Sequence, residues 1–212
     1  MTLATIFIPA AGLITVRAQS AGLTAAEQKD GWKLLFDGKT MNGWTPRPPP
    51  AGRGATEPPA VAKWAVENGE IVWVKDSGRG YLVTTQPYTD FTLRADFWSD
   101  PAANTGINFG VPDTGNISSN TSFEVNIFDD TEQFPTGSIN NVQRTTVAKP
   151  QTANKWNTLE ISRQGDHIVV AVNGEKAVDI TSALHPGGLI GLQAPAAGTT
   201  KFRNVRIKTT GN

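Results

Sequence analysis

The sequence predicts an all-β domain, a β-sandwich or jelly roll of two antiparallel sheets. Apolar and polar residues alternate at period two in many short segments, and turn residues such as Asn-Gly separate these segments. No stretch shows the 3.6-residue period of an amphipathic helix three turns long. About ten strands in roughly 180 residues are typical of one sandwich domain.

The predicted strands follow one another from residue 64 to residue 208. Asn68-Gly69 separates the first two, and Gln164-Gly165-Asp166 separates another pair; both are hairpin signals. In the segment 91–98, four apolar residues alternate with Thr92, Arg94, Asp96 and Trp98, so these four share the face turned away from the core. The strands are predicted at 64–67, 71–74, 91–98, 107–111, 123–128, 159–163, 167–172, 189–193 and 202–208.

The first residues differ in character from the rest. Residues 3–16 form an apolar run of small and aliphatic side chains, and Val16-Arg17-Ala18 resembles a signal-peptide cleavage site. The run is shorter than the roughly 20 residues that span a bilayer, so no transmembrane span is expected. We therefore expect a signal peptide at 1–18, a linker at 19–30 and a secreted or periplasmic protein; the alternative is a disordered or mis-started N-terminus.

A second irregular stretch, residues 46–59, contains six prolines. Proline has no backbone N–H to donate to a sheet, so this stretch is predicted to be an extended surface loop. The domain itself is predicted to span 31–208, followed by a tail at 209–212. The loop is either a passive insertion or a lid near a site, and the passive role is favoured.

Composition excludes several function classes. Basic and acidic residues both number 19 in the 212-residue chain, so no net positive charge favours nucleic acid as a partner. The chain has no cysteine, which excludes disulfides, thiol nucleophiles and cysteine zinc sites. The two histidines, His167 and His185, lack the spacing of zinc ligands.

Nine short strings occur in the order typical of a known bacterial family. They read GWKLLFDGKT at 31–40 with NGW at 42–44, WAVENG at 64–69, DFTL at 90–93, NTGI at 104–107, FEVNI at 123–127, WN at 156–157, VNG at 172–174, IGLQ at 190–193 and FRNVRI at 202–207. Through these strings the chain resembles the 3-keto-disaccharide hydrolase domain family over roughly residues 31–208.

The resemblance implies a concanavalin A-like fold that binds sugar on the concave face of one sheet. It also implies an exported bacterial protein and the cleavage of glycosides whose sugar carries a ketone at carbon 3. Two positions depart from the family pattern. Members commonly have arginine where this chain has Gly110, and many have Asp-His-Gly where it has Ala194-Pro195-Ala196.

Glu124 is the candidate catalytic residue. The apolar residues of segment 123–127 point to the core, so Glu124 and Asn126 share the opposite face. A partly buried carboxylate there can act as a general base, whereas the alternative is a surface glutamate on a solvated face. Asp129 belongs by alternation to the other face, so the strand does not supply the second carboxylate of an ordinary retaining glycosidase.

A 3-keto sugar needs only one base, because the ketone acidifies the proton on carbon 2 and the group at carbon 1 can then leave by elimination. Water addition completes the hydrolysis. The rival hypothesis is a non-catalytic carbohydrate-binding module on the same fold. A divalent metal such as calcium would be an optional cofactor. The candidate substrate-binding residues are Asn104 at the rim, Asn108, Asn126, Gln193 and Trp98, the last as a platform for stacking against a sugar ring.

Overall fold

The computed structural model of the protein describes residues 22–50, 59–148 and 150–210. The predicted signal peptide therefore lies outside the described residues, as does most of the proline-rich stretch. The described residues form one short helix and thirteen strands. These are α1 (Ala25–Lys29), β1 (Lys33–Leu34), β2 (Trp44–Arg47), β3 (Trp64–Glu67), β4 (Glu70–Trp73), β5 (Gly80–Thr84), β6 (Phe91–Ser99), β7 (Thr105–Val111), β8 (Phe123–Ile127), β9 (Asn157–Gln164), β10 (His167–Val172), β11 (Glu175–Thr181), β12 (Leu189–Ala194) and β13 (Thr200–Thr209).

Two antiparallel sheets make up the fold, as the sequence predicted. The larger has eight strands in the order β11-β10-β9-β6-β13-β4-β3, with β1 also paired to β13. The smaller has five strands in the order β2-β5-β12-β7-β8. Neighbouring strands in both sheets pair antiparallel.

The core lies between the two sheets and consists of their inward-facing apolar side chains. In β6, every second residue from Phe91 to Phe97 is no more than 1% exposed, as the period-two pattern predicted. The ring of Phe91 in the larger sheet meets Phe109 of the smaller one edge-on, with centroids 6.1 Å apart. Phe109 in turn stacks on Phe123, at 5.0 Å. These aromatic contacts join the sheets directly beneath β8.

The outer face of the five-stranded sheet is also partly covered. A second apolar cluster forms there from residues of β5, β7 and β12 together with Ile117 of the loop 112–122. The guanidinium of Arg47 holds this loop by donating to the carbonyl oxygens of Pro112 and Gly115, at 2.7 and 2.5 Å. One end of this face is thus closed by the loop, which leaves the other end for a cleft.

The described part of the predicted linker at 19–30 contains a short helix. Residues 25–29 form a helix whose N-terminus is closed by a capping box between Thr24 and Glu27. A carboxylate oxygen of Glu27 lies 3.1 Å from Nε of Arg206, which attaches the helix to the larger sheet. The helix is too short to produce the periodicity on which helix prediction depends.

The structure also differs from the predicted loop at 46–59. Pro46 belongs to strand β2 and pairs with Leu82. Strand β2 is the edge of its sheet, where a missing N–H is tolerated because one side of the strand has no neighbour. Residues 51–58 lie outside the described residues. Among the helices that the structure describes, none is long and apolar enough to cross a membrane.

Candidate active site

Glu124 is carried by strand β8 on the outer face of the five-stranded sheet. Its neighbours Phe123 and Val125 are buried in the core between the sheets, so the alternation turns Glu124 outward. The side chain is only partly exposed there, and it forms part of the wall of an open cavity of about 340 Å³. The described residues that line this cavity are Pro49, Arg79, Gly80, Tyr81, Asn104, Glu124, Asn140, Gln193 and Ala196.

Amide groups surround the carboxyl of Glu124. Asn140 donates from Nδ2 to Oε1 at 2.9 Å, and Gln193 donates from Nε2 to Oε2 at 3.4 Å. Asn108 is the Cα partner of Glu124 on strand β7 and is fully buried. Neither polar atom of its amide has a hydrogen-bond partner among the described residues. Both oxygens of the carboxyl therefore receive donors, and one further amide beside it has hydrogen-bonding capacity left.

Two opposing effects act on the pKa of Glu124. Burial raises this pKa above its ordinary value of 4.5, because the charged form loses solvation. The amides of Asn108, Asn140 and Gln193 lower it by favouring the charged form. The Asn108 amide does this from nearby, in a geometry that falls short of a hydrogen bond. The net effect is a raised pKa, which is the condition that makes a carboxylate a stronger base.

Asn140 was not predicted from the sequence as a site residue. It lies in the long connection between β8 and β9, which runs back along β8: the N–H of Asn140 donates to the carbonyl of Glu124 at 2.9 Å. Ile139, its neighbour, is fully buried in the core and pairs with Val125. The buried Ile139 thus anchors the connection so that the next side chain points to the carboxyl. In the sequence, the apolar Ile139 within a polar stretch was the one signal that this part of the connection packs against the core.

Asn126, predicted to bind substrate, is buried and does not line the cavity. Its Nδ2 donates to the carbonyl oxygen of Phe134 at 2.6 Å, and its Oδ1 accepts from Asn140 at 3.5 Å. Its amide is therefore engaged in holding the connection that carries Asn140. The structure supports a positioning role for Asn126 in place of direct substrate contact.

The other predicted residues fall in two groups. Asn104 and Gln193 line the cavity with Glu124, as the prediction requires. Trp98 does not, because strand β6 belongs to the eight-stranded sheet and the residue faces outward from it. The Nζ of Lys201, its Cα partner, lies 5.8 Å from the Trp98 ring centroid. Alternation along a strand predicts which face a residue is on, but it does not predict which sheet contains the strand. Trp98 was assigned to the cleft because its sheet could not be predicted in this way.

Tyr81 is a second cavity residue that sequence reasoning missed. It is the Cα partner of Gln193, and the residue is only 7% exposed. Burial raises the pKa of its phenol, as does the nearby charge of Glu124, while Gln193 acts in the opposite direction. Tyr81 and Glu124 therefore lie on either side of Gln193. Strand β5 carries no polar alternation, which is why neither it nor Tyr81 was predicted.

Acidic residues are scarce around the cavity. Of the described residues that line it, Glu124 is the only acid. Asp129 is engaged elsewhere, since it accepts hydrogen bonds from the hydroxyls of Thr136 and Thr152 and from the N–H of Ala153. Among the described residues, no group of three or more His, Asp or Glu could hold a metal ion.

The two departures from the family pattern occupy different places. Ala196 lines the cavity, so the replacement of Asp-His-Gly by Ala194-Pro195-Ala196 alters the wall of the site itself. Gly110 instead faces the backbone of His185, and it adopts a φ of +65°. A Cβ atom at this position would lie 2.8 Å from both Cβ and the carbonyl oxygen of His185. The structure around residue 110 therefore has no room for the arginine common in the family.

Solved structures of other proteins share this fold. A protein from Parabacteroides distasonis ATCC 8503, provisionally named as a glycosyl hydrolase, matches with a TM-score of 0.73 at 20% identity, over 90% of this chain and 99% of that one. The carbohydrate-binding module CBM66 from Bacillus subtilis matches with a TM-score of 0.58 at 17% identity, over 81% and 98%. The lumenal domain of VIP36, in a form bound to Ca²⁺ and Man3GlcNAc, matches with a TM-score of 0.53 at 11% identity. This match covers 87% of this chain and 90% of that one. At these identities the matches establish the β-sandwich fold alone.

Sequence comparison is more specific. The 3-keto-disaccharide hydrolase of Bacteroides thetaiotaomicron is 28% identical over 97 residues, which cover 42% of this chain and 31% of that protein. The chain therefore spans about a third of that relative's length. The family model described as a 3-keto-alpha-glucoside-1,2-lyase-like domain matches residues 31–208. On this match, the chain belongs to the 3-keto-alpha-glucoside-1,2-lyase-like domain family.

Proposed function

We propose that this chain is an enzyme that cleaves 3-keto-glycosides by elimination followed by hydration, with Glu124 as the base. The observation that carries the proposal is the setting of Glu124: a carboxyl within a cavity, desolvated enough to raise its pKa, and oriented by the amides of Asn140 and Gln193. A surface glutamate on a solvated sheet would have neither the burial nor the oriented donors.

The proposed chemistry starts at carbon 2 of the sugar. The ketone at carbon 3 acidifies this proton, and the Glu124 carboxylate removes it. The electron pair forms a double bond between carbons 1 and 2, and the group at carbon 1 leaves. Water then adds to carbon 1 and a proton returns to carbon 2. The amides beside the carboxyl donate hydrogen bonds, which stabilise negative charge without taking up protons.

A glycosidase mechanism with two carboxylates receives less support. Retaining enzymes place their two carboxyl groups about 5 to 5.5 Å apart. Among the described residues of the cavity wall, Glu124 has no acidic neighbour that could be the second group. Elimination needs one base and therefore fits the residues that are present.

The alternative function is a carbohydrate-binding module without turnover. One observation favours it: Ala196 lines the cavity in the segment where many family members carry Asp-His-Gly. If that histidine is required for the reaction, this chain would retain the cleft and lose the activity. Binding and turnover must therefore be measured on the same preparation.

The test is release of free sugar from a 3-keto-glucoside and a 3-keto-disaccharide, with and without EDTA. Glu124→Gln is compared with Glu67→Gln, which removes an exposed carboxyl on strand β3 of the larger sheet. We expect turnover by the wild type and by Glu67→Gln, and a loss of at least about 10²-fold in Glu124→Gln. Binding of the glycoside by calorimetry without turnover would replace the proposal with the binding module. Full turnover by Glu124→Gln would remove Glu124 as the base.

We also propose that the protein is exported by the leader at residues 1–18. The support is the apolar run at 3–16 followed by small residues at 16 and 18. The test is N-terminal sequencing of the protein recovered from periplasm and medium, in which a first residue of Gln19 is expected. A full-length chain confined to the cytoplasm would contradict export.

A further inference from the structure

We propose that Tyr81 is the proton donor of this cavity, which protonates the leaving oxygen at carbon 1 while Glu124 removes the proton from carbon 2. The inference rests on the proposed elimination reaction and adds a second catalytic residue to it. Elimination of an alcohol from a sugar needs an acid as well as a base, because an alkoxide is a poor leaving group.

The sheet places the two groups on one surface. Tyr81 on β5 is the Cα partner of Gln193 on β12, and both face outward into the cavity. The Gln193 amide donates to Oε2 of Glu124 at 3.4 Å. The phenol and the carboxyl therefore reach the same cavity from opposite sides of the Gln193 side chain. Carbon 1 and carbon 2 are adjacent in the sugar, so the acid and the base have to act at neighbouring positions.

The ring of Tyr81 is fixed by packing. It belongs to the apolar cluster on the outer face, with Val83, Val111, Ile117 and Leu189. Its hydroxyl donates to the carbonyl oxygen of Ile117 at 3.4 Å, which is a long and weak hydrogen bond. The cluster thus holds the ring while leaving the hydroxyl proton available for a better acceptor in the cavity.

The protonation states are those that the reaction needs. Burial keeps the pKa of Tyr81 above its ordinary value of 10.0, and the negative charge of Glu124 raises it further, against the effect of Gln193. The Tyr81 phenol is therefore protonated at neutral pH, including in molecules whose Glu124 is ionised.

The two half-reactions balance. In elimination, the C2–H bond breaks toward Glu124, the C1–O bond breaks, and Tyr81 gives its proton to the departing oxygen. In hydration, the oxygen of a water molecule adds to carbon 1 while the Tyr81 phenolate takes a proton from that water. Glu124 returns its proton to carbon 2. Both groups end in their starting states, and the sum is hydrolysis with no other reactant.

Tyr81→Phe tests the proposal because the ring and its packing remain. The leaving group is varied: methyl 3-keto-glucoside needs an acid, whereas 4-nitrophenyl 3-keto-glucoside does not, since nitrophenolate leaves unaided. We expect Tyr81→Phe to lose about 10²-fold in kcat on the methyl substrate and less than about threefold on the nitrophenyl substrate. Glu124→Gln should lose activity on both. Tyr88→Phe is the matched control, because it removes the only other tyrosine hydroxyl, which lies outside this cavity.

The outcomes separate the two proposals. Equal effects of Tyr81→Phe on both substrates, or none on either, would overturn the role of Tyr81 while leaving Glu124 as the base. Absence of turnover by the wild type overturns the proposed function and this inference with it. The wild type supplies a second test that needs no variant: the alkaline limb of its pH–rate profile should be present for the methyl substrate and absent for the nitrophenyl substrate.

Discussion

The side chain of Glu124 lies directly over the α-carbon of Gly106 on the neighbouring strand. A Cβ atom at position 106 would be 3.0 Å from Cγ and 3.2 Å from Oε1 of Glu124, and 2.8 Å from the carbonyl oxygen of Val125. The absence of a side chain at Gly106 thus provides the space through which the carboxyl reaches toward Gln193. Gly106, which belongs to the NTGI string at 104–107, therefore contributes to the site by leaving room for the Glu124 carboxyl.

Gly106→Ala is therefore expected to move the carboxyl and to reduce kcat/KM by at least about tenfold. The added methyl meets backbone as well as side chain, so a loss of about 1–3 kcal/mol in the free energy of unfolding is expected too. Gly191→Ala is the control, because its Cβ would lie no closer than 3.3 Å to a side chain of the same sheet face. The measurements are steady-state kinetics and denaturant unfolding; a Gly106→Ala enzyme as active as Gly191→Ala would contradict the steric role of Gly106.

The hydrogen bond from Asn140 predicts a change in pH dependence. This bond favours the ionised form of Glu124, so its removal in Asn140→Ala should raise the pKa of the carboxyl further. Because the base must be ionised, the acidic limb of the kcat/KM profile should move to higher pH. Arg79 and Tyr81, the other ionisable groups of the cavity wall, are unchanged in this variant.

Asn116→Ala is the control for that profile, since Asn116 is exposed in the loop 112–122 and, among the described residues, only its backbone carbonyl forms a hydrogen bond. Its acidic limb should coincide with that of the wild type. A limb that moves to lower pH in Asn140→Ala would mean that the amide does not stabilise the carboxylate.

Much of this arrangement follows from patterns visible in the sequence. The Asn68-Gly69 hairpin joins β3 and β4 with Glu67 opposite Glu70, and the alternation in 123–127 turns Glu124 outward as expected. These predictions succeeded because they depend on local turn chemistry and on one exposed face of a strand. Strand β5 was missed because all five of its residues are buried, which removes the alternation.

The parts of the site that were missed depend on contacts distant in sequence. Asn140 reaches Glu124 through a connection without regular structure, and Tyr81 meets Gln193 only because β5 pairs with β12. No local period encodes either contact. The misplacement of Trp98 has the same origin, because the order of strands decides which sheet a residue joins.

The raised pKa of Glu124 predicts that its carboxyl, when ionised, destabilises the folded state. In the unfolded chain the group ionises near its ordinary value of 4.5, and in the folded chain it ionises at higher pH. The folded state therefore binds more protons between these two values, and stability falls as the pH rises through them. Each unit of difference corresponds to about 1.4 kcal/mol.

Glu124→Gln removes this charge and should raise the Tm at neutral pH by a few degrees, even though it abolishes turnover. The advantage over the wild type should shrink as the pH is lowered toward 4.5, where the native carboxyl is also neutral. Glu67→Gln relieves only an exposed like charge opposite Glu70, so its pH-dependent difference should be much smaller. Thermal melts of the three proteins at several pH values provide the measurement, and a Glu124→Gln protein less stable than the wild type at neutral pH would contradict the desolvation of the carboxyl.

Gly110 predicts how the chain responds when the family's residue is restored. The fully buried Arg163 fixes the backbone that a side chain at position 110 would meet, since its guanidinium donates to the carbonyl oxygen of His185 at 2.5 Å. The His185 ring also packs edge-on against Phe123, with centroids 5.0 Å apart. Gly110→Arg must therefore displace a segment that is held at two points, next to the strand that carries Glu124.

Gly165→Ala measures the cost of backbone strain separately from the cost of a steric clash, because Gly165, like Gly110, has a positive φ. Gly165 has a φ of +58°, close to the +65° of Gly110, but a Cβ atom there would meet nothing within 4 Å. We expect Gly165→Ala to lose about 1–2 kcal/mol from backbone strain alone, and Gly110→Ala to lose about 1–3 kcal/mol more from the contact with His185. Gly110→Arg should be less stable still and should not gain activity. Equal losses for the two alanine variants in urea unfolding would show that the His185 segment yields, and the family's arginine could then be accommodated in this fold.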